Sequence, residues 1–189
     1  MAKNTGLTCH SIDYRLAPEH PYPAALDDAL TAWQGIVDSH PEHKIILSGD
    51  SAGGGLSLAL MMRLRSEGRV LPDAVVLFSP WTDLTCQGES YITKAKADPM
   101  FTPSMPRDCS HYYAPVGTDK TNPLISPAFG DLTGLPRMLI LCGGNEILLS
   151  DSKTLAEEAE TAGVDIELTI WENMFHDWWL FGLFIPETK

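Results

Sequence analysis

The chain has 189 residues, a length that suits one domain at roughly 150 residues per domain. Lys and Arg number 13 against 25 Asp and Glu, and the resulting charge of −12 argues against nucleic acid or an anionic membrane as a partner, because both demand a basic face. Apolar residues at 44% and charged residues at 20% are globular values that exclude a disordered chain. No apolar run approaches the roughly 20 residues that span a bilayer.

Strand-like and helix-like segments alternate, the pattern of a mostly parallel α/β sheet with helices on both faces. The first residues, Met1 to Thr8, lack the apolar stretch of a secretory signal. Leu7 to Tyr14 is expected as a first strand. Pro23 opens a helix at a position that tolerates a missing N–H, with Leu26, Leu30, Trp33 and Val37 at helical spacing. Lys44 to Ser48 reads as a short strand and Gly49 to Gly55 as a Gly-rich turn. A helix follows to about Glu67, with Gly68 placed to end it. Ala74 to Ser79 is an apolar strand closed by Pro80.

From Trp81 to Pro136 prolines crowd and periodicity is lost, which predicts loops with short helices. Residues 81–136 therefore read as an irregular excursion over one face of a single domain, residues 1–189. Arg137 to Cys142 is the next strand, followed by a helix from about Asp151 to Ala162 that Gly163 ends. Val164, Ile166, Leu168 and Ile170 alternate with Asp165, Glu167 and Thr169, as in a sheet-edge strand with one wetter face. A last short apolar helix follows His176.

The four cysteines, Cys9, Cys86, Cys109 and Cys142, form no C-x-x-C pair, so zinc and thioredoxin-type chemistry have no motif here. Cys9 and Cys142 lie in apolar runs and are expected to be buried. A cytoplasmic setting is the default expectation.

Gly49-Asp50-Ser51-Ala52-Gly53 is a G-x-S-x-G pentapeptide between a predicted strand and a predicted helix. A sharp turn there brings backbone close on both sides of the serine, so both flanks are expected to need glycine. It also exposes Ser51 Oγ beside a helix N-terminus, with the Ala52 N–H aimed at a developing oxyanion. A serine hydroxyl needs a base. Of the six histidines, His176 follows the last strand and the serine in chain order, which places it at the same sheet end as Ser51.

Three stretches carry a family resemblance. Tyr14-Arg15-Leu16-Ala17-Pro18-Glu19-His20-Pro21-Tyr22-Pro23-Ala24-Ala25, then Gly49-Asp50-Ser51-Ala52-Gly53-Gly54, then Asn122-Pro123-Leu124-Ile125-Ser126-Pro127, resemble the bacterial hormone-sensitive-lipase-like esterases of the α/β-hydrolase fold. The resemblance covers essentially the whole chain. It implies hydrolysis of small carboxylic esters with short acyl chains, Ser51 as nucleophile and His176 as base. It implies no metal or organic cofactor, and it leaves an oligomer open.

The chain departs from the family pattern twice. The family's acid lies in a pattern like Gly-x-Asp-Glu-x-Leu, and here Gly143-Gly144-Asn145-Glu146-Ile147-Leu148 sets Asn145 at the Asp position. An amide brings no charge to support an imidazolium, and an Asp-to-Asn change costs about 10⁴-fold in a serine protease. Glu146 next door is a substitute, and Asp151 is a further alternative that also suits a helix cap. The family's upstream His-Gly-Gly-Gly loop, which supplies further oxyanion donors, has no counterpart before Tyr14. The expectation is a C-terminal part of a longer esterase with its first strands missing. The strand normally lying between the Tyr14 and Ser51 strands would then leave a gap in the sheet or force those two to pair.

Arg15 and Glu19 are expected to hold a turn, and Asp50 to be a structural partner near the elbow. Trp81, Phe101, Phe175 and Trp178 are expected in the core or lining a pocket. Asp83 and Asp177 are expected to be solvated or locally hydrogen-bonded. Two rival readings stand beside the esterase: a non-hydrolytic small-molecule-binding module, like the plant gibberellin receptors that the family resembles, and a catalytically impaired fragment.

Overall fold

The computed structural model of the chain describes residues 2–102 and 104–185. Met1, Pro103 and the residues from 186 onward lie outside the described residues. In chain order the elements are α1 (Ala2–Thr5), α2 (Ala24–Ser39), β1 (Ile46–Asp50), α3 (Ala52–Ser66), β2 (Ala74–Phe78), α4 (Ser90–Thr93), α5 (Met105–Tyr113), β3 (Arg137–Gly143), α6 (Leu149–Thr161) and β4 (Ile166–Trp171). Short 3-10 turns occupy Pro127–Phe129 and Trp178–Phe184, the second broken at Gly182.

The four strands form one parallel sheet in the order β1-β2-β3-β4. Ile46 pairs with Ala74, Ala74 with Arg137, and Met138 with Ile166. Parallel pairing needs long crossovers. Here α3 links β1 to β2, the excursion links β2 to β3, and α6 links β3 to β4. All strand C-termini therefore lie at one end of the sheet, where crevices for ligands form in open α/β folds.

Burial explains the layering. Val75, Leu77, Met138 and Ile140 on the central strands pack with Leu58 and Met61 of α3 and Leu155 of α6. A second cluster joins Leu26, Leu30 and Trp33 of α2 to Leu60 and Leu64 of α3. Helix α3 thus sits between two apolar layers, which is why it is apolar nearly all round rather than along one stripe. Each large side chain fully buried this way contributes about 1.5–3 kcal/mol relative to exposure. A third cluster lies under the excursion, where Trp81, Leu84, Tyr91 and Ile125 pack on Ile147 and Leu148.

The helices near Pro23, after the Gly-rich turn and before Gly163 form as expected. Arg69 N–H to Leu64 O and Val164 N–H to Ala159 O close the ends of α3 and α6. The excursion holds only short helices, α4 and α5, between irregular stretches. Three local expectations need correction. Leu7 to Tyr14 forms no strand, because no ladder partner lies beside it among the described residues. The strand expected at Lys44–Ser48 is shifted to Ile46–Asp50, since the Gly49 and Asp50 backbone continues the ladder to Leu77 and Phe78. Cys9 is exposed rather than buried, as it lies on that same unpaired segment, whereas Cys142 is buried in β3. Among the described residues, no helix is long and apolar enough to cross a membrane.

Candidate active site

The turn after β1 is built by close packing. Ser51 has φ 51° and ψ −121°, a region that L-residues rarely occupy and that clusters at functional sites. Two backbone bonds hold it there: Ser51 N–H to Phe78 O and Trp81 N–H to Ser51 O, both 2.9 Å. A Cβ on Gly49 would collide with the Gly53 carbonyl and with Ser57 Oγ, so only glycine fits there. A Cβ on Gly53 would meet open space. The steric demand therefore falls on Gly49, and at Gly53 the expected need for glycine is absent. Helix α3 starts at Ala52, so Ser51 Oγ sits at the helix N-terminus and the Ala52 amide is one of the donors that a first turn leaves without an intrahelical acceptor.

The partner loop follows β4. Gly144 N–H bonds Trp171 O (2.9 Å) and Asn145 N–H bonds Met174 O (2.8 Å), tying the loop after β3 to the loop after β4. These bonds set His176 in place, 2% exposed, with Nε2 3.0 Å from Ser51 Oγ. The Phe101 ring packs on the imidazole at 4.6 Å between centroids. On the far side, Nδ1 lies 3.7 Å from Glu146 Oε2, an ion-pair separation slightly longer than a hydrogen bond. Glu146 is fully buried and its Oε2 accepts the Ser79 hydroxyl. Ile147 N–H to Asp98 Oδ2 (3.0 Å) and Ser90 Oγ–H to Ile147 O (2.6 Å) pin the next residue from the excursion side.

Burial raises the Glu146 pKa above the ordinary carboxylate value, partly offset by His176 and Ser79. For His176, burial pulls the pKa down, but the carboxylates of Asp177 and Glu146 outweigh it and push the net value up to about 9. Asp177 is the less expected neighbour. Its Oδ2 lies 3.0 Å from the same Nε2 that faces Ser51, and the residue is 6% exposed with a left-handed φ of 53°. Of the two expectations for Asp177, solvated or locally hydrogen-bonded, the second holds: its carboxylate is buried against the neighbouring His176 ring.

Ser51, His176, Ala52 and Glu146 thus converge, and Asn145 does not join them. The Asn145 Oδ1 accepts from Lys94 Nζ at 3.4 Å, and its neighbour Glu146 turns to the imidazole. Asp151 neither joins the site nor caps α6. It is buried, its Oδ2 accepts Thr82 N–H (2.8 Å) and Asp83 N–H (2.9 Å), and burial pushes its pKa up to about 7. Arg15 grips Asp28 rather than Glu19, at 2.8 Å. Ser79 belongs to no catalytic motif in the sequence. Its one local sign is the Ser-Pro pair that closes β2.

A cavity of about 240 Å³ opens beside the elbow, bounded by Tyr14, Leu16, Ala52, Trp81, Tyr112 and Ile125 among others. Of the aromatic candidates, Trp81 lines it and Phe101 covers His176, while Phe175 pairs with Phe181 and Trp178 with Trp171 and Trp179. Among the described residues, no group of three His, Cys, Asp or Glu side chains is arranged to hold a metal ion.

A serine on a strand-to-helix turn, a histidine after the last strand and a buried carboxyl behind it, all at the C-terminal end of a parallel sheet, define the class of α/β-hydrolase sites. The chain belongs to the α/β-hydrolase fold family, whose model matches residues 1–180. It is 41% identical over 186 residues to an acetyl-hydrolase of Streptomyces hygroscopicus, covering 97% of this chain and 62% of that protein. It is 36% identical to an esterase of Acinetobacter venetianus, covering 100% of this chain and 63% of that one. Among solved structures it resembles a hormone-sensitive lipase from a metagenome library, with TM-score 0.89, 45% identity, and 93% of this chain and 60% of that one covered. The chain spans about 60% of the length of these relatives.

Proposed function

We propose that the chain carries the serine-nucleophile machinery of a carboxylic ester hydrolase acting on small, short-acyl esters. The observation that carries this reading is the 3.0 Å approach of His176 Nε2 to Ser51 Oγ on a turn that only a glycine at position 49 permits. Ser51 Oγ attacks the ester carbonyl carbon as His176 Nε2 takes its proton. The Ala52 N–H stabilises the tetrahedral oxyanion. The carbon–oxygen bond to the alcohol breaks, His176 returns the proton to the leaving oxygen, and an acyl-enzyme remains. Water then attacks with His176 again as base, releasing the acid and restoring Ser51. Glu146 faces Nδ1 and stabilises the imidazolium formed in each half.

A cavity of about 240 Å³ with a mostly apolar lining suits a short acyl or alcohol group. Residues 81–136 belong to the same domain in this proposal and cover the active-site face. All four cysteines are free, which suits a reducing, cytoplasmic setting. The non-hydrolytic receptor reading drew its motive from an amide at the acid position, and the Glu146 carboxyl beside Nδ1 removes that motive.

The test is intact-mass analysis after exposure to a fluorophosphonate, together with hydrolysis of p-nitrophenyl acetate. One adduct that vanishes in Ser51→Ala, with turnover vanishing alongside it, is expected. Turnover retained by Ser51→Ala would remove the nucleophile assignment.

A further inference from the structure

One ring nitrogen of His176 serves two neighbours. Ser51 Oγ and Asp177 Oδ2 each lie 3.0 Å from Nε2. A nitrogen with a single lone pair or a single proton cannot at once accept the serine hydroxyl proton and donate to the carboxylate. To accept the Ser51 proton, Nε2 must be bare, and a bare nitrogen repels the carboxylate beside it. To bond Asp177, Nε2 must carry a proton, and then it is no base. Asp177 is itself buried, its Oδ1 has no hydrogen-bond partner, and its backbone is held in the left-handed region. Such a carboxylate has no solvent to turn to and few alternatives to the imidazole.

We infer that Asp177 is a positioning residue for the acyl transfer proposed above: its carboxylate holds the Nε2–H of a protonated His176 in competition with Ser51, so the serine is activated only once that proton is lost. The inference rests on the acyl-transfer reading and deepens it. The charges around the ring all favour the protonated state. Glu146 faces Nδ1 from the loop after β3, Asp177 faces Nε2 from the histidine's own loop, and Asp50 adds a further carboxyl from the end of β1. Asp50 is raised by its partial burial and by Asp177, and the Tyr14 phenol lies within its field. Lys94 Nζ is bonded to Asn145 Oδ1. Phe101, on the ring face, brings no charge. Direction follows from this: the His176 pKa, pushed up to about 9, makes the base scarce at neutral pH and abundant in alkali.

The experiment is an NMR titration of the chain labelled in its histidine rings, with the His176 signal assigned by its loss in His176→Gln. The wild-type midpoint is expected well above the ordinary imidazole value of about 6.5, and in Asp177→Asn it is expected to fall by one pH unit or more. In parallel, the ratio of the Ser51 fluorophosphonate labelling rate at pH 7 to that at pH 9 is expected to rise about fivefold in Asp177→Asn for each unit of fall. A wild-type midpoint at or below about 6.5 would overturn the inference without any variant. So would a folded Asp177→Asn or Asp177→Ser protein that titrates with wild type. A midpoint that falls in the variant while Ser51 stays unlabelled at every pH supports the Asp177 contact and counts against the acyl-transfer reading alone.

Discussion

The elbow after β1 and the histidine loop after β4 face each other across 3.0 Å but are built by different physics. The elbow is a steric object. Its shape follows from a glycine that no other residue can replace, a serine held at φ 51°, and two backbone bonds to neighbouring segments. The histidine loop is an electrostatic object. His176 sits among carboxyl groups from three parts of the chain, and its state is set by how burial and those charges balance. Changes at the elbow should therefore act through folding or remove chemistry outright, while changes around His176 should act through protonation.

The largest effect expected is the loss of ester turnover in Ser51→Ala. Next comes Glu146→Gln, which keeps the shape and removes the charge behind Nδ1. A fall in kcat of about 10²–10⁴-fold is expected, read with p-nitrophenyl acetate. Asn145→Asp, one residue away, should stay within about threefold, because geometry and not adjacency in sequence decides which carboxyl reaches the ring. Equal losses in the two variants would break the assignment of Glu146.

The elbow makes a matching pair. Gly49→Ala forces a Cβ into backbone and should cost roughly 2–4 kcal/mol in urea unfolding. Gly53→Ala adds a methyl to open space in the first turn of α3 and should shift stability by no more than about 1 kcal/mol, in the stabilising direction. Similar losses at both positions would mean that the turn is not set by the contact at Gly49.

A smaller effect is expected at Asp151, which holds the start of the excursion. Its folded pKa is raised from 3.8 to about 7, so the folded protein holds this proton more tightly than the unfolded chain. The stability it contributes is present in full below pH 3.8 and is lost as pH rises toward 7. Asp151→Asn, whose amide oxygen still accepts the Thr82 and Asp83 N–H groups, should flatten the decline in Tm across that window. Parallel declines in variant and wild type would assign the pH dependence to other groups.

Much of this was written in local sequence. The spacing of Leu26, Leu30 and Trp33 marks a helix, the apolar runs at Ala74 and Arg137 mark central strands, and Gly-Asp-Ser-Ala-Gly between strand and helix marks the elbow, because each depends on neighbours a few residues away. His176 could be singled out because parallel strands put all their C-termini at one end of the sheet. What tertiary structure alone decided involves partners far apart in the chain. Leu7 to Tyr14 has strand composition but no edge to pair with among the described residues, and a strand requires one. Asn145 and Glu146 are adjacent, and bonds to distant segments, from Gly144 and Asn145 to residues 171 and 174 and from Ser79 to the carboxyl itself, accompany the placement of Glu146 beside the imidazole. Ser79 binds a carboxyl 67 residues away, and Asp151 binds amides 69 and 68 residues away. Asp177 reads as a solvated or locally hydrogen-bonded residue, and only the fold buries it against the neighbouring imidazole. A buried charge is stabilised by whatever surrounds it in space, and sequence order does not record that surrounding.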